Sequence, residues 1–461
     1  MTAFPKYPAY KPSGVEWLGD VPEHWEVEKG LRYFYETESR STTGDEELLS
    51  VSHLTGVTPR SEKNITMFMA ESYEGSKLCE VGDIAINTMW AWMAALGVSR
   101  YRGLVSPSYG TYRQKKPEPF NPTFLDHLIR MDVYRSHYTV NSTGITTSRL
   151  RLYPHSFLRL KFVCPPRAEQ GRIVAFLDEK TAQIDALIAK KQRQIELLDE
   201  QRGILINRAV TRGIGNGELR IVNEVAAEAA SDHSTFTIQN SQFKDSGITW
   251  IGPIPKGWEV KSAKHVCERI IDCKNRTAEV VTQGDYYVLR TSNVKKGELV
   301  RDEITRTNLK NFTIWTERGA PEAGDVLFTR EAPAGEACVF DGSLPACLGQ
   351  RMMYFRPDTS QLLPQFLVHT IYFGPSATYI QLKTNGSTVG HLRLPDVYAL
   401  PVLFPPVDEQ RRILDVLAAT EESQKKLIQT MQSQIQTLQT LRSTLIAHTV
   451  TGKIAIPAAT V

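Results

Sequence analysis

The 461-residue sequence contains no apolar run of 18 or more residues, so no membrane-spanning helix is expected. It opens MTAFPKYPAYKPSG, which lacks the apolar centre of a secretory signal. Its six cysteines, Cys79, Cys164, Cys267, Cys273, Cys338 and Cys347, form no CxxC pair. Neither a zinc site nor a redox motif is supported, and scattered free thiols fit a reducing cytoplasm as the expected location. An excess of either charge is missing too. With 54 basic and 51 acidic residues the net charge is +3, too small to announce a polyanionic partner, so local patches have to carry any such argument. No GxxxxGK[ST] is present, which excludes a nucleotide-driven motor. What remains is ordinary globular composition, 41% apolar and 23% charged, over a length sufficient for two or three domains.

The sequence is internally repeated. SGVEWLGDVPEHWEV (Ser13 to Val27) returns as SGITWIGPIPKGWEV (Ser246 to Val260), keeping both tryptophans, two glycines and a proline. PPRAEQGRIVAFL from Pro165 returns as PPVDEQRRILDVL from Pro405, and the helix-like stretch Leu187 to Ile214 returns as Leu427 to Ile454. Between these anchors the match is thin but ordered. LLSVSHL at Leu48 answers VLRTSNV at Val288, and VGDIAIN at Val81 answers AGDVLFT at Ala323. The chain is a tandem duplication whose unit ends are kept and whose middles have diverged.

Each unit has two parts. The first mixes strand-like runs with Gly, Pro, Asn and Ser turns. GDIAIN and GDVLFT read as buried strands after a Gly-Asp turn, and PTFLDHLIRMDVYRSHY and PQFLVHTIYFGPSATYI read as helices opened by proline. The second part is a long helix, with no proline between Pro166 and Pro253 or between Pro406 and Pro457. Positions 184, 188, 191, 195, 198, 202, 205 and 209, and their counterparts 240 later, step by four and three. That spacing predicts a coiled-coil seam, with Ile184, Ile188, Ile195, Leu198 and Leu205 in one helix and Ile428, Met431, Ile435, Leu438 and Leu445 in the other. Chain order makes the pairing antiparallel, with a domain at each end of a rod of roughly 60 Å and a pseudo-two-fold axis between them. Arg202 and Arg442 share one seam position. They read first as arginines whose stems pack while their heads reach water, and second as register-setting or partner-docking contacts. The tryptophan segment is expected to seat each domain on the end of the preceding long helix.

The order W-x-G-x-x-P-x-x-W, variable domain, P-P-x-x-E-Q-x-x-I, long helix, T-G-K-I resembles the specificity subunit of Type I restriction–modification systems. The resemblance covers the whole chain. The first copy departs from it at the helix end, with Thr211-Arg212-Gly213-Ile214 where the second has Thr451-Gly452-Lys453-Ile454. It implies a mixed α+β fold, with two target recognition domains joined by an antiparallel coiled coil. Each domain would read one half of a bipartite site on double-stranded DNA. The helices would space the halves and dock two methyltransferase subunits, and two restriction subunits would complete the assembly. The chain would be non-catalytic and hold no cofactor. S-adenosylmethionine would belong to the methyltransferase partners, and ATP and Mg to the motor–nuclease partners. The corresponding division is a docking segment at 1–27, a recognition domain at 28–164, a helical spacer at 165–214, a linker with the second docking segment at 215–257, a recognition domain at 258–404, a second spacer at 405–454 and a tail at 455–461.

Candidate DNA contacts lie in the diverged stretches. The segment from Asn87 to Arg113 carries Met89, Trp90, Trp92, Arg100, Arg102, Ser108 and Tyr109. Aromatics interleaved with arginine suit base and phosphate contact, although Trp90 and Trp92 read equally well as core. The matching segment from Thr329 to Arg356 offers Arg330, Glu331, Gln350 and Arg351, with Arg330–Glu331 also readable as a surface ion pair. The turn-rich stretches 141–149 and 383–391 add Ser148, Arg149, Asn385, Ser387 and His391, whose glycine-rich surroundings would let a phosphate approach the backbone. Ser52, His53, Arg290 and Asn293 near strand ends complete the set.

Enzyme readings are weaker. Asn121-Pro122-Thr123-Phe124 resembles the Asn-Pro-Pro-aromatic motif of adenine methyltransferases, but no Gly-rich fingerprint precedes it, and a turn with a helix start explains it better. Isolated carboxylates such as Asp325 read as turn residues. A coiled-coil adapter that binds proteins and not DNA is the alternative to a DNA-reading subunit.

Overall fold

The computed structural model describes residues 5–62, 72–146, 150–214, 243–274, 276–384 and 390–456. The chain divides into two compact units, residues 1–191 with 432–461, and residues 192–431. Both long helices are cut by this division, so each unit holds a mixed α+β domain and one segment of each helix. Among the described residues no helix is long and apolar enough to cross a membrane.

The first unit is built on a four-stranded antiparallel sheet in the order Phe34–Glu36, Gly110–Gln114, Ile84–Ile86, Leu96–Val98. Ile84, Ala85 and Ile86 are wholly buried, which is why this strand reads as a continuous apolar run. The turn before it is held by charge. Asp83 accepts the Glu80 backbone N–H at 2.9 Å and takes the fork of Arg113 on both carboxylate oxygens at 2.8 Å. Beyond the sheet, Asn121 caps the helix Pro122–Ile129 by accepting the Thr123 and Phe124 N–H groups, so the Asn-Pro-Thr-Phe stretch is a helix start.

The second unit repeats the plan. Its sheet runs Cys267–Asp272, Met352–Pro357, Val326–Thr329, Ala337–Val339. Asp325 accepts the Glu322 N–H at 2.7 Å and both arms of Arg356 at 2.8 Å. Each proline-opened stretch expected as one helix is two. Pro375 ends the run Pro364–Phe373 and begins Pro375–Thr384. In the first unit the break falls at Arg130–Met131, and Tyr138 of the next helix, Asp132–Val140, donates its hydroxyl to the Ile129 carbonyl at 2.7 Å. That bond satisfies a carbonyl left open by the end of the preceding helix.

The repeated motifs join each domain to its helices. Trp25 and Trp258 are buried, and each donates its indole N–H to Oε1 of the motif glutamate, Glu169 or Glu409, at 3.2 Å. Glu169 also accepts from the Tyr7 hydroxyl at 2.6 Å and lies 2.8 Å from His24 Nε2. The neighbouring glutamine ties the helix start to the loop beside it. Gln170 donates to the Pro165 and Pro119 carbonyls at 2.8 Å and accepts the Asn121 N–H at 2.6 Å. Gln410 does the same with Pro405, Gln361 and Leu363.

The long helices span Arg167–Arg212 and Val407–Val450 and end at glycines in the left-handed region, Gly213 (φ 78°) and Gly452 (φ 74°). A Cβ on Gly452 would lie 2.3 Å from Pro22 Cδ, so the Thr-Gly-Lys-Ile turn packs directly on the tryptophan segment. Lys453 Nζ donates to the Leu18 carbonyl at 2.7 Å and to that of Asp20. In the first copy, Arg212 lies over the Phe243 ring at 5.3 Å, and the Trp258 ring faces Gly213.

Within the first unit the two helix segments run antiparallel, since Arg442 reaches Asp185 at 2.9 Å and Lys191 reaches Gln434 at 2.6 Å. Ile184 and Leu445 are buried there, and Ile188 and Leu438 pack against the same core, with Ile435 half-buried. In the second unit Ile195, Leu198, Leu205, Ile428 and Met431 are half-buried. There Arg202 donates Nε and Nη2 to Glu421 Oε1 at 3.1 and 2.7 Å. The seam arginines are therefore cross-helix ion pairs, which fix register more than they add stability, because half-exposed pairs contribute about 0–1 kcal/mol.

Candidate nucleic-acid interface

In the second unit one end of the main sheet gathers the expected side chains. Arg330 and Glu331 come directly after the strand Val326–Thr329, and Gln350 and Arg351 precede Met352–Pro357. His391 joins them through a bridge to Glu331. Arg330 Nε lies 3.3 Å from Asp272 Oδ1, an ion pair without hydrogen-bond alignment. Burial pushes the Asp272 carboxyl up, and Arg330 beside it pulls it back down. Glu331 stands between two nitrogen-bearing side chains, 3.5 Å from Arg351 Nε and 3.6 Å from His391 Nδ1. Gln350, Arg351 and His391 are exposed. Arg351 sits at φ 73°, so its side chain leaves from a left-handed turn.

Arg290 belongs to the same end, because its Cγ is 3.3 Å from where a Cβ on Gly349 would stand. Asn293 does not belong to the surface. It is 1% exposed, its amide donates to the Val300 carbonyl at 3.1 Å, and its oxygen accepts the Arg290 N–H at 2.9 Å. Its polar groups hold the turn and are not free for bases. Next to this turn, exposed Lys295 and Lys296 border a recess of about 400 Å³ with Ala332 and Pro333. Tyr372 ties that turn to the sheet by accepting the Gly297 and Ala337 N–H groups at 3.0 Å and donating to Glu336 at 2.8 Å. Sequence alone does not single out the two lysines. Paired basic residues in a turn are too common a signal without the sheet end beside them.

In the first unit the structure separates the expected residues. Met89, Trp90, Trp92, Ser108 and Tyr109 lie at the sheet end beyond Ile84–Ile86. Trp90 is 50% exposed, whereas Trp92 is half-buried and donates its N–H to the Met89 carbonyl at 3.1 Å, so the two tryptophans divide between surface and packing. Tyr109 accepts from Asn87 Nδ2 at 3.1 Å. Burial pushes its hydroxyl up, and Arg60 opposes that shift. Arg100 and Arg102 lie at the opposite end of the strand, where Ser99 N–H donates to the Asp83 carbonyl. Arg102 is spent on Glu46 and Glu80, both at 3.2 Å. The sheet topology therefore removes both arginines from the cluster that their sequence position suggests. Ser148, Arg149, Asn385 and Ser387 lie outside the described residues. Among the described residues no cluster of His, Cys, Asp or Glu has the form of a metal site.

Residues 255–437 match the family described as the Type I restriction modification DNA specificity domain. The chain is therefore similar to Type I specificity subunits, in line with the resemblance its repeated motifs carry. Its likeness extends well beyond the matched domain. It is 20% identical over 462 residues to a putative Type I restriction enzyme MjaX specificity subunit of Methanocaldococcus jannaschii, covering 95% of this chain and 96% of that one. It is 23% identical over 154 residues to the putative specificity subunit S.HindORF215P of Haemophilus influenzae, covering 33% and 36%. In fold it resembles a chain from a solved structure concerned with complex assembly and conformational transition of the Type I R-M system. That match has a TM-score of 0.64 at 16% identity, over 93% of this chain and 98% of that one.

Proposed function

We propose that the two repeated domains read the two halves of one bipartite site on double-stranded DNA. The observation that carries this reading is the repeated sheet itself. Both units have the same strand order and the same Asp–Arg clamp at one end, while the residues at the other end differ in chemistry. A fixed framework with interchangeable loops suits two different sequences, as symmetric scaffolds suit repeated half-sites. Arg290, Arg330, Arg351 and His391 supply base-edge and phosphate donors in the second unit, with Lys295 and Lys296 as phosphate contacts beside them. The helices set the spacer between half-sites and dock two methyltransferase subunits, and two restriction subunits complete the nuclease. The chain performs no chemistry. S-adenosylmethionine is held by the methyltransferase partners, and ATP and Mg by the restriction partners.

Methylation mapping in cells carrying this chain and its partners tests the proposal. The expected product is one motif of two specified blocks around an unspecified spacer of fixed length. Purified chain given S-adenosylmethionine and DNA is expected to transfer no methyl groups. Methyl transfer by the pure chain would sink the non-catalytic reading, and loss of all DNA retention with partners present would favour a protein-binding adapter.

A further inference from the structure

The duplication lets the two sheet ends be compared position by position. Leu152 N–H donates to the Thr88 carbonyl at 3.0 Å, and Leu392 N–H donates to the Arg330 carbonyl at 3.0 Å. Ile86 pairs with Gly110 as Phe328 pairs with Met353. These bonds make Met89 equivalent to Glu331, Ser108 to Arg351, and Arg151 to His391. In the second unit the three side chains form the Arg351–Glu331–His391 cluster. In the first, exposed Arg151 extends its Nη2 to within 3.8 Å of Met89 Sδ and pairs with no carboxylate among the described residues. Thr88 donates its hydroxyl to the Ser108 carbonyl at 2.9 Å, which closes the same corner.

We propose that these three positions are the specificity determinants of each unit, and that Arg151 is the base-contacting arginine of the first. The proposal rests on the DNA-reading function argued above. A guanidinium offers a fork of donors that matches the O6 and N7 acceptors of guanine. Arg151 has that fork unspent, because a thioether accepts weakly and holds no charge. In the second unit the fork is carried by Arg351, and Glu331 is its positioning residue. Glu331 takes Nε and leaves the terminal nitrogens for the base. The same corner thus presents an arginine in both units, but from a different position of the triad. The two half-sites are accordingly read with the guanine contact at different places.

Methylation mapping of variants, in cells that supply the partner subunits, tests this. Arg151→Ala is expected to lower discrimination at one position of the first half-site by about tenfold or more, and to leave the second half-site unchanged. Arg151→Lys keeps the cation without the fork and is expected to relax the same position while retaining methylation. Glu331→Gln is expected to relax the second half-site alone. An unchanged motif with both Arg151 variants, uniform loss of methylation with both, or relaxation of the second half-site by either would overturn the assignment. These outcomes differ from failure of the wider reading, which would appear in the unsubstituted chain as the absence of a two-block motif.

Discussion

Trp25 donates its indole N–H to Glu169 across 144 residues of chain, and Trp258 makes the same 3.2 Å bond to Glu409. The two tryptophan segments recur because each long helix begins with a glutamate that has to be met by the segment before the domain. The glutamates differ in load. Glu169 serves Tyr7, His24 and Trp25, and Glu409 is bonded to Trp258.

Glu169→Ala should therefore cost more than Glu409→Ala, about 3 against about 1.5 kcal/mol, since each orphaned buried donor costs about 1–3 kcal/mol. Urea unfolding of the two variants checks the order. Equal losses would mean that Tyr7 and His24 add nothing to the joint.

A second expectation concerns pH. His127 and His369 sit at equivalent places on the first helix after the sheet, each facing the long helices. Burial pushes both imidazoles below the usual histidine value of 6.5. Asp126 and Asp178 raise His127 while Arg442 and Arg130 lower it. Glu421 raises His369 while Arg202 lowers it. The unfolded chain binds more protons than the folded one as pH falls below about 6.5, so stability drops through that interval and is unaffected by these groups above it. The double variant His127→Gln, His369→Gln should lose less thermal stability between pH 7.5 and 5.5 than the unsubstituted chain. An identical decline would place the acid sensitivity elsewhere.

The parts legible in sequence are those fixed by short spacing. The seam positions, the strands after Gly-Asp and the proline-opened helix starts all come from local periodicity and turn chemistry. The illegible parts depend on register between distant segments. Arg113 and Arg356 close the diverged stretches in sequence, yet their partners Asp83 and Asp325 lie 30 and 31 residues upstream and meet them through strand pairing alone. Asn293 reads as a polar strand end until the turn folds its amide inward. Arg100 and Arg102 read as one patch with Met89, but the three-residue strand Leu96–Val98 carries them to the other end of the sheet. Arg151 does not stand out beside Arg149 in sequence, because only the bridge to Thr143 and the contact with Met89 bring it to the corner.

The helices carry a third expectation. Four residues inserted after Leu198 add about 6 Å of helix and rotate the downstream portion by about 40°. DNA rises about 3.4 Å per base pair, so the preferred spacer should lengthen by one or two base pairs with both half-sites kept. An unchanged spacer at full activity would show that the helices do not set the separation.

The most direct measurement exchanges the first recognition domain. Residues 28–164 are replaced by the corresponding segment of another specificity subunit whose motif is known, and methylation is mapped across the genome. A new first half-site beside an unchanged second half-site and spacer is the predicted result. A change in both half-sites, or in neither, would contradict the account.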